Sequence, residues 1–138
     1  MSIFHLEEER AVRALLAELE LPVELALVLG PVETTTLAGA REIDPETETR
    51  KILGELASFS ERVTVSEHGE GAFGAERYPC VVFLRDGEDV GVRFYGTPWG
   101  YELTSLVGGI VEVGKRDPSL ELPPLERDVA LQVFVTPT

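Results

Sequence analysis

Cysteine is almost absent from this sequence: Cys80 is the only one among 138 residues, and there is no Cys-x-x-Cys motif. A single thiol cannot form an internal disulfide, and it offers no set of cysteine ligands for zinc. Disulfide chemistry that needs two cysteines is therefore excluded within this chain. The two histidines, His5 and His68, have no partners at metal-ligand spacing. We predict neither a metal site nor a bound cofactor.

Basic residues are also scarce. The chain has 12 Lys and Arg residues against 25 Asp and Glu residues, a net charge of -13. Such a charge repels phosphate backbones and anionic lipid surfaces, so nucleic acid and membranes are not expected partners.

No apolar run approaches the length that spans a bilayer. Residues 1–9 contain three consecutive glutamates, Glu7, Glu8 and Glu9, where a signal peptide would need basic residues. At the start of a helix these acids favour the macrodipole, so we interpret them as a solvated first turn. The sequence predicts a cytoplasmic protein, and its length and 43% hydrophobic content fit one compact domain.

The first half of the chain alternates helical and strand patterns. Val12 to Leu19 has apolar residues at helical spacing and predicts an amphipathic helix that Pro22 ends. The apolar run Val23 to Leu29 predicts a strand covered on both faces. Asp44 and the following proline are typical of a helix start, and the apolar spacing extends that helix over about 45–60.

The second half begins with strand patterns. Val63 and Val65 alternate with polar residues, and Cys80 to Leu84 is continuously apolar. Asp86-Gly87 then predicts a hairpin turn into a strand through Val92 and Phe94.

The best helical stripe of the chain follows, from Leu103 to Val111, with Gly114 as its predicted cap. Gly108 and Gly109 weaken this helix by about 1 kcal/mol each, and we expect them to let it pack closely on the sheet.

These elements predict a mixed four-stranded sheet flanked by helices, a thioredoxin-like α/β arrangement, because strands joined through a helix are parallel and the hairpin adds antiparallel partners. We assign residues 1–115 to this domain and the charged, proline-bearing residues 116–128 to a linker. The apolar run Val129 to Val135 predicts an extra C-terminal strand within residues 129–138.

At residues 91–98 the sequence GVRFYGTP, continued by GYELTSL at 100–106, resembles a signature of one family. It is the N-terminal region shared by the flavoprotein subunit of alkyl hydroperoxide reductase and the glutaredoxin-like protein disulfide oxidoreductases. Leu56 to Thr64 is similar to the family's helix-to-strand passage, and Tyr78-Pro79 stands at the position of the cis-proline of thioredoxin folds.

The resemblance implies a tandem of two thioredoxin-like units, of which the first is degenerate and the second carries Cys-x-x-Cys after its opening strand. Leu131 to Thr138 resembles that opening strand, so the chain looks like the first unit plus one strand of the second. The loop from Gly30 to Asp44 replaces the site where an active thioredoxin carries its cysteines, and His68 to Arg77 replaces a thioredoxin helix.

Two groups of candidate site residues stand out, the first from the resemblance and the second from its aromatic residues. Tyr78, Pro79 and Cys80 would form a cis-proline groove in which an extended peptide docks. Cys80 is either a buried, inert thiol or one held near that groove. The aromatic loop contains Tyr95, Gly96, Trp99 and Tyr101, and it either folds over the sheet edge or contacts a partner domain.

A glycine motif invites a different interpretation. Gly69, Gly71 and Gly74 satisfy G-x-G-x-x-G after a strand. A dinucleotide site needs the last glycine to open a helix, and here a strand pattern follows, so we interpret the segment as a connection.

Three functions remain open at this point. The first is a non-catalytic scaffold or docking module of a disulfide-reductase system, not an enzyme by itself, with a second thioredoxin-like unit or redox protein as partner. The second is a stand-alone module that binds peptide in the Pro79 groove or forms a homodimer through its C-terminal strand. The third is a one-cysteine thiol enzyme at Cys80.

Overall fold

The computed structural model of the protein describes residues 2–32, 44–117 and 120–135. Its elements in chain order are α1 Leu6–Leu16, β1 Val23–Val28, α2 Pro45–Ser58, β2 Val63–His68, β3 Cys80–Arg85, β4 Glu88–Tyr95 and α3 Tyr101–Val113. The strands form one sheet in the order β2-β1-β3-β4. β1 is parallel to β2 and antiparallel to β3, and β3 is antiparallel to β4. The predicted mixed four-stranded α/β fold is confirmed.

Helix α1 ends earlier than its apolar stripe predicted. The chain leaves the helix after Leu16, and the N–H groups of Glu18 and Leu19 bond carbonyls three residues back, which tightens the last turn. That turn directs Leu19 into the core, where it is 4% exposed. Pro22 therefore precedes β1 without ending the helix.

The start of α2 follows its sequence signals. The Asp44 carboxylate accepts a hydrogen bond from the Glu46 N–H at 3.3 Å, and Pro45 occupies the first helical turn. A bond from the Thr47 hydroxyl lowers the pKa of the Asp44 carboxyl.

All three helices lie on one face of the sheet. Their buried side chains join a single cluster with the strand residues that point the same way, among them Leu16, Leu25, Ile52, Phe83, Leu106 and Ile110. The opposite face is covered by the segment between β2 and β3, where Ala75 and Tyr78 pack on Ala26 and Val82. This segment contains only the short 3-10 turn Ala72–Gly74, so no helix covers this face within the described residues.

Close packing of α3 on the sheet depends on a missing side chain. A Cβ added at Gly109 would lie 3.1 Å from the Phe83 ring, whereas one added at Gly108 would meet nothing within 4 Å. Only one of the two glycines thus serves the predicted close approach. At the end of the helix, Gly114 abuts Leu19 and its carbonyl accepts the N–H groups of Glu20 and Leu21.

The predicted C-terminal strand is not formed. Residues 129–135 have no strand structure, and their apolar side chains are exposed, Leu131 by 88% and Val133 by 84%. A strand needs a neighbour for its backbone groups, and the described sheet ends at β2 and β4. Residues 136–138 and most of the Gly30 to Asp44 loop, at 33–43, lie outside the described residues.

No helix in the described ranges has both the length and the apolar composition that crossing a membrane requires.

Candidate functional site

The peptide bond between Tyr78 and Pro79 is cis, as the resemblance implied. Tyr78 is held in place by its hydroxyl, which donates to the Ala75 carbonyl at 2.9 Å and accepts the Gly71 N–H at 2.8 Å. Its ring lies against Gly30, where a Cβ would come within 2.7 Å of it. Tyr78 therefore holds the loop before β3 against the chain that follows β1.

Cys80 is fully buried at the start of β3. Burial raises the pKa of its thiol to about 11; Arg93 opposes this effect and Asp89 adds to it. A thiol is nucleophilic only as the thiolate, so Cys80 is not activated at neutral pH. This environment favours the buried, inert interpretation and argues against a one-cysteine enzyme.

Members of the two predicted groups of site residues meet at one end of the sheet. Cys80 is paired with Tyr95 across β3 and β4, and the Gly96 N–H donates to the Pro79 carbonyl at 2.8 Å. Beyond this pair, the Thr97 hydroxyl donates to the Pro45 carbonyl at 3.3 Å. The cis-proline loop, the loop after β4 and the first turn of α2 thus converge.

Thr49, which was not among the predicted site residues, completes this junction. Its hydroxyl donates to the Pro45 carbonyl at 2.7 Å and lies 3.0 Å from the Thr97 hydroxyl. Among the described residues it is the polar residue that is fully buried. The spacing of four residues between Pro45 and Thr49 was a signal for the bond to the Pro45 carbonyl. No local pattern indicated the contact between the Thr49 and Thr97 hydroxyls.

The aromatic loop exposes part of its side chains. Trp99 is 37% exposed and Tyr95 is 47% exposed, whereas Pro98 between them is buried. Tyr101 begins α3, but its side chain lies outside the described part of the structure. Tyr95, the last residue of β4, and Trp99, in the loop that follows, therefore each present aromatic surface to solvent.

One serine, histidine and acid do come together, on the face of the sheet without helices. The Ser66 hydroxyl lies 3.0 Å from a Glu24 carboxylate oxygen and 2.8 Å from His68 Nε2. The acid thus contacts the serine and not the histidine, so it does not orient the ring as a hydrolase triad requires. Across the described ranges, no group of three or more His, Cys, Asp or Glu side chains could hold a metal ion.

The glycine-rich segment lacks the context of a nucleotide site. Gly74 ends the short 3-10 turn, and the chain continues through the cis-proline into β3. A pyrophosphate is held by the N-terminus of a helix that follows the last glycine, and none follows here.

Comparison with known proteins shows relatives with two different names. The chain is 34% identical over 94 residues to the F subunit of alkyl hydroperoxide reductase from Staphylococcus epidermidis. It is 36% identical over 97 residues to a protein named NADH dehydrogenase from Ferdinandcohnia aciditolerans. The matches cover 68% and 70% of this chain but only 17% of either relative. No protein-family model matches the chain.

Solved structures agree with these relatives. The F subunit of alkyl hydroperoxide reductase from Enterococcus faecalis superposes with a TM-score of 0.70 at 25% identity, covering 87% of this chain and 57% of that one. A protein disulfide oxidoreductase from Aeropyrum pernix K1 has the same fold, with a TM-score of 0.65 at 23% identity over 88% of this chain and 52% of that one. The chain is thus similar in sequence and in fold to the thioredoxin-like N-terminal domain of the F subunit of alkyl hydroperoxide reductase.

Proposed function

We propose that this chain is a non-catalytic thioredoxin-fold module that docks a partner unit carrying a Cys-x-x-Cys in a disulfide-reductase system. The observation that carries the proposal is the state of Cys80, which is buried beside the cis-proline with its pKa raised to about 11. The family's redox chemistry needs a pair of reactive thiols, and this chain has one thiol with no thiolate character at neutral pH.

The aromatic loop supports a docking role. Trp99 and Tyr95 expose ring surface next to a rigid junction formed by Pro79, Thr97 and the first turn of α2. Aromatic side chains on a rigid support are enriched at protein interfaces, because they bury a large area at a small cost in conformational entropy. A thioredoxin-like unit or another redox protein is the partner that we expect there.

The non-catalytic part of the proposal is tested by reduction of insulin with dithiothreitol. We expect this protein and its Cys80→Ser variant to leave the rate at that of dithiothreitol alone. An acceleration that the variant loses would contradict the proposal and restore the one-cysteine enzyme.

The docking part is tested by calorimetric titration with the second thioredoxin-like unit of the Staphylococcus epidermidis relative. We expect Trp99→Ala to weaken binding about tenfold or more, as truncation of a central aromatic residue does. Leu15→Ala, a similarly exposed residue at 42% on α1, serves as the matched control and should leave affinity unchanged. Equal affinities for Trp99→Ala and the unaltered protein would place the interface elsewhere.

A second candidate is self-association, which the exposed apolar run at 129–135 favours. Contiguous apolar surface of this kind marks an interaction site in soluble proteins. Sedimentation of a clean monomer at all concentrations would remove this candidate and leave the redox docking role intact.

A further inference from the structure

The C-terminal segment carries apolar side chains that the rest of the described chain does not cover. Leu131, Val133 and Phe134 are 88%, 84% and 79% exposed, and only Gln132 interrupts the apolar residues of 129–135. The described residues 120–135 contain neither helix nor strand. A short apolar segment with β-branched residues and unpaired backbone pairs readily with an open sheet edge.

One edge of the sheet offers such a surface at β2. The Val23 N–H bonds the Arg62 carbonyl and the Leu29 N–H bonds the His68 carbonyl, so the even-numbered residues of this segment direct their backbone groups toward β1. The N–H and C=O groups of Val65 and Glu67 therefore point away from the sheet. The pairing of β2 with β1 runs without a bulge from Val63 to His68, which leaves a regular edge.

The other edge, at β4, is less suited to receive a strand. The pairing of β4 with β3 shifts register between Val82 and Leu84, and Gly91 has a φ of +83°. The Asp89 carboxylate accepts the Gly91 N–H at 2.8 Å and the Arg93 guanidinium at 2.8 Å. A bulge of this kind protects a sheet edge from pairing, and the pairing of β2 has none.

We propose that residues 129–135 of one copy pair with the outer edge of β2 in a second copy, as a fifth strand of its sheet. If each copy gives its residues 129–135 to the other, the result is a closed two-fold dimer. Both C-terminal segments and the β2 edges of both copies are then covered. This inference rests on the second candidate function, self-association, and adds the surface that receives the tail. It is independent of redox docking at the aromatic loop.

Sedimentation equilibrium over a range of concentrations tests the tail first. We expect a dimer that Val133→Lys weakens about tenfold or more, because the lysine puts a charge into the contact of residues 129–135 with β2. The variant should still fold, since the exposed Val133 side chain contributes to no packing within its own copy. A monomer at every concentration would overturn both self-association and this inference.

The receiving edge is tested by Glu67→Pro with Glu67→Ala as its matched control. Proline removes the outward N–H of residue 67, which edge strands tolerate, and it should weaken the dimer about tenfold. Alanine removes only the ion pair with Arg50 and should leave the dimer unchanged. If Val133→Lys disrupts the dimer and Glu67→Pro does not, the tail docks elsewhere and the edge assignment is wrong.

Amide hydrogen exchange tests the edge without altering it. We expect exchange at Val65 and Glu67 to slow as the protein concentration rises, and to stay fast in Val133→Lys. Slow exchange at both amides that does not vary with concentration would mean that each tail covers its own β2, which overturns the exchange between copies.

Discussion

At the scale of single residues, Cys80 illustrates how position controls chemistry. Its place beside Pro79 left both a buried and a groove-facing thiol open in the sequence. Tertiary packing buries it against Ala26, Val82 and their neighbours, and the loss of hydration raises its pKa. No local sequence pattern specifies that burial, because it depends on strands from distant parts of the chain.

We expect the Cys80 thiol to resist labelling by 5,5′-dithiobis-(2-nitrobenzoate) at about pH 8 in the folded protein and to react within seconds in denaturant. Its raised folded pKa stabilises the fold fully below the unfolded value of about 8.5, and this contribution declines as pH rises toward the folded value. Absorbance of the released thiolate measures the labelling, and urea unfolding at a series of pH values measures the stability. Fast stoichiometric labelling without denaturant would refute the inert thiol.

Thr49 gives the second prediction at this scale. We expect Thr49→Val to lower the free energy of unfolding by about 1–2 kcal/mol, because the Pro45 carbonyl and Thr97 hydroxyl lose a buried partner. Urea unfolding of Thr49→Val, Thr97→Val and the double variant measures this effect. The two losses should be less than additive, and strict additivity would show that the two hydroxyls do not interact.

At the scale of elements, the sequence located the three α-helices and the four strands of the described residues. Hydrophobic periodicity and turn residues such as proline and glycine are local signals, so the sequence carries them directly. It misjudged where α1 ends, because Leu19 is turned inward by a contact with Gly114, which is remote in sequence. It expected a strand at 129–135, because apolar β-branched residues favour one, whereas pairing requires a neighbour.

Helix α3 provides a matched pair of variants. We expect Gly108→Ala to raise the free energy of unfolding by about 0.5–1 kcal/mol, since alanine favours a helix and the added Cβ meets nothing. Gly109→Ala should gain less or lose stability, because the Phe83 ring lies 3.1 Å from the new carbon. Urea denaturation of both proteins measures the difference, and equal gains would contradict the close contact.

Helix α2 gives a prediction of pH dependence. Glu55 accepts the Ile3 N–H at 2.8 Å and a bond from Ser2; burial opposes its ionisation, but these bonds lower its pKa. A lowered carboxyl pKa contributes stability above the unfolded value of about 4.3, lost as pH falls through the folded value. We expect Glu55→Gln to lower the melting temperature near neutral pH and to converge with the unaltered protein below about pH 3. A constant difference would contradict this role.

At the scale of the whole molecule, the net charge of -13 bears on every partner. Two copies of an acidic protein repel each other, and salt screens this repulsion over a Debye length of about 10 Å at 0.1 M. We therefore expect self-association to tighten severalfold between about 20 and 200 mM NaCl in sedimentation experiments. Weakening by salt would indicate an interface built on ion pairs, unlike an apolar tail on a strand edge.

The sequence by itself determined the order of elements, the family resemblance and the lack of paired thiols, because spacing, turn residues and composition are properties of the chain. It also indicated the cis-proline position through Tyr78-Pro79. Only the tertiary structure decided that the helices share one face, that Cys80 is buried and that Thr49 meets Thr97. These features depend on contacts between residues far apart in the chain, and no local pattern encodes them.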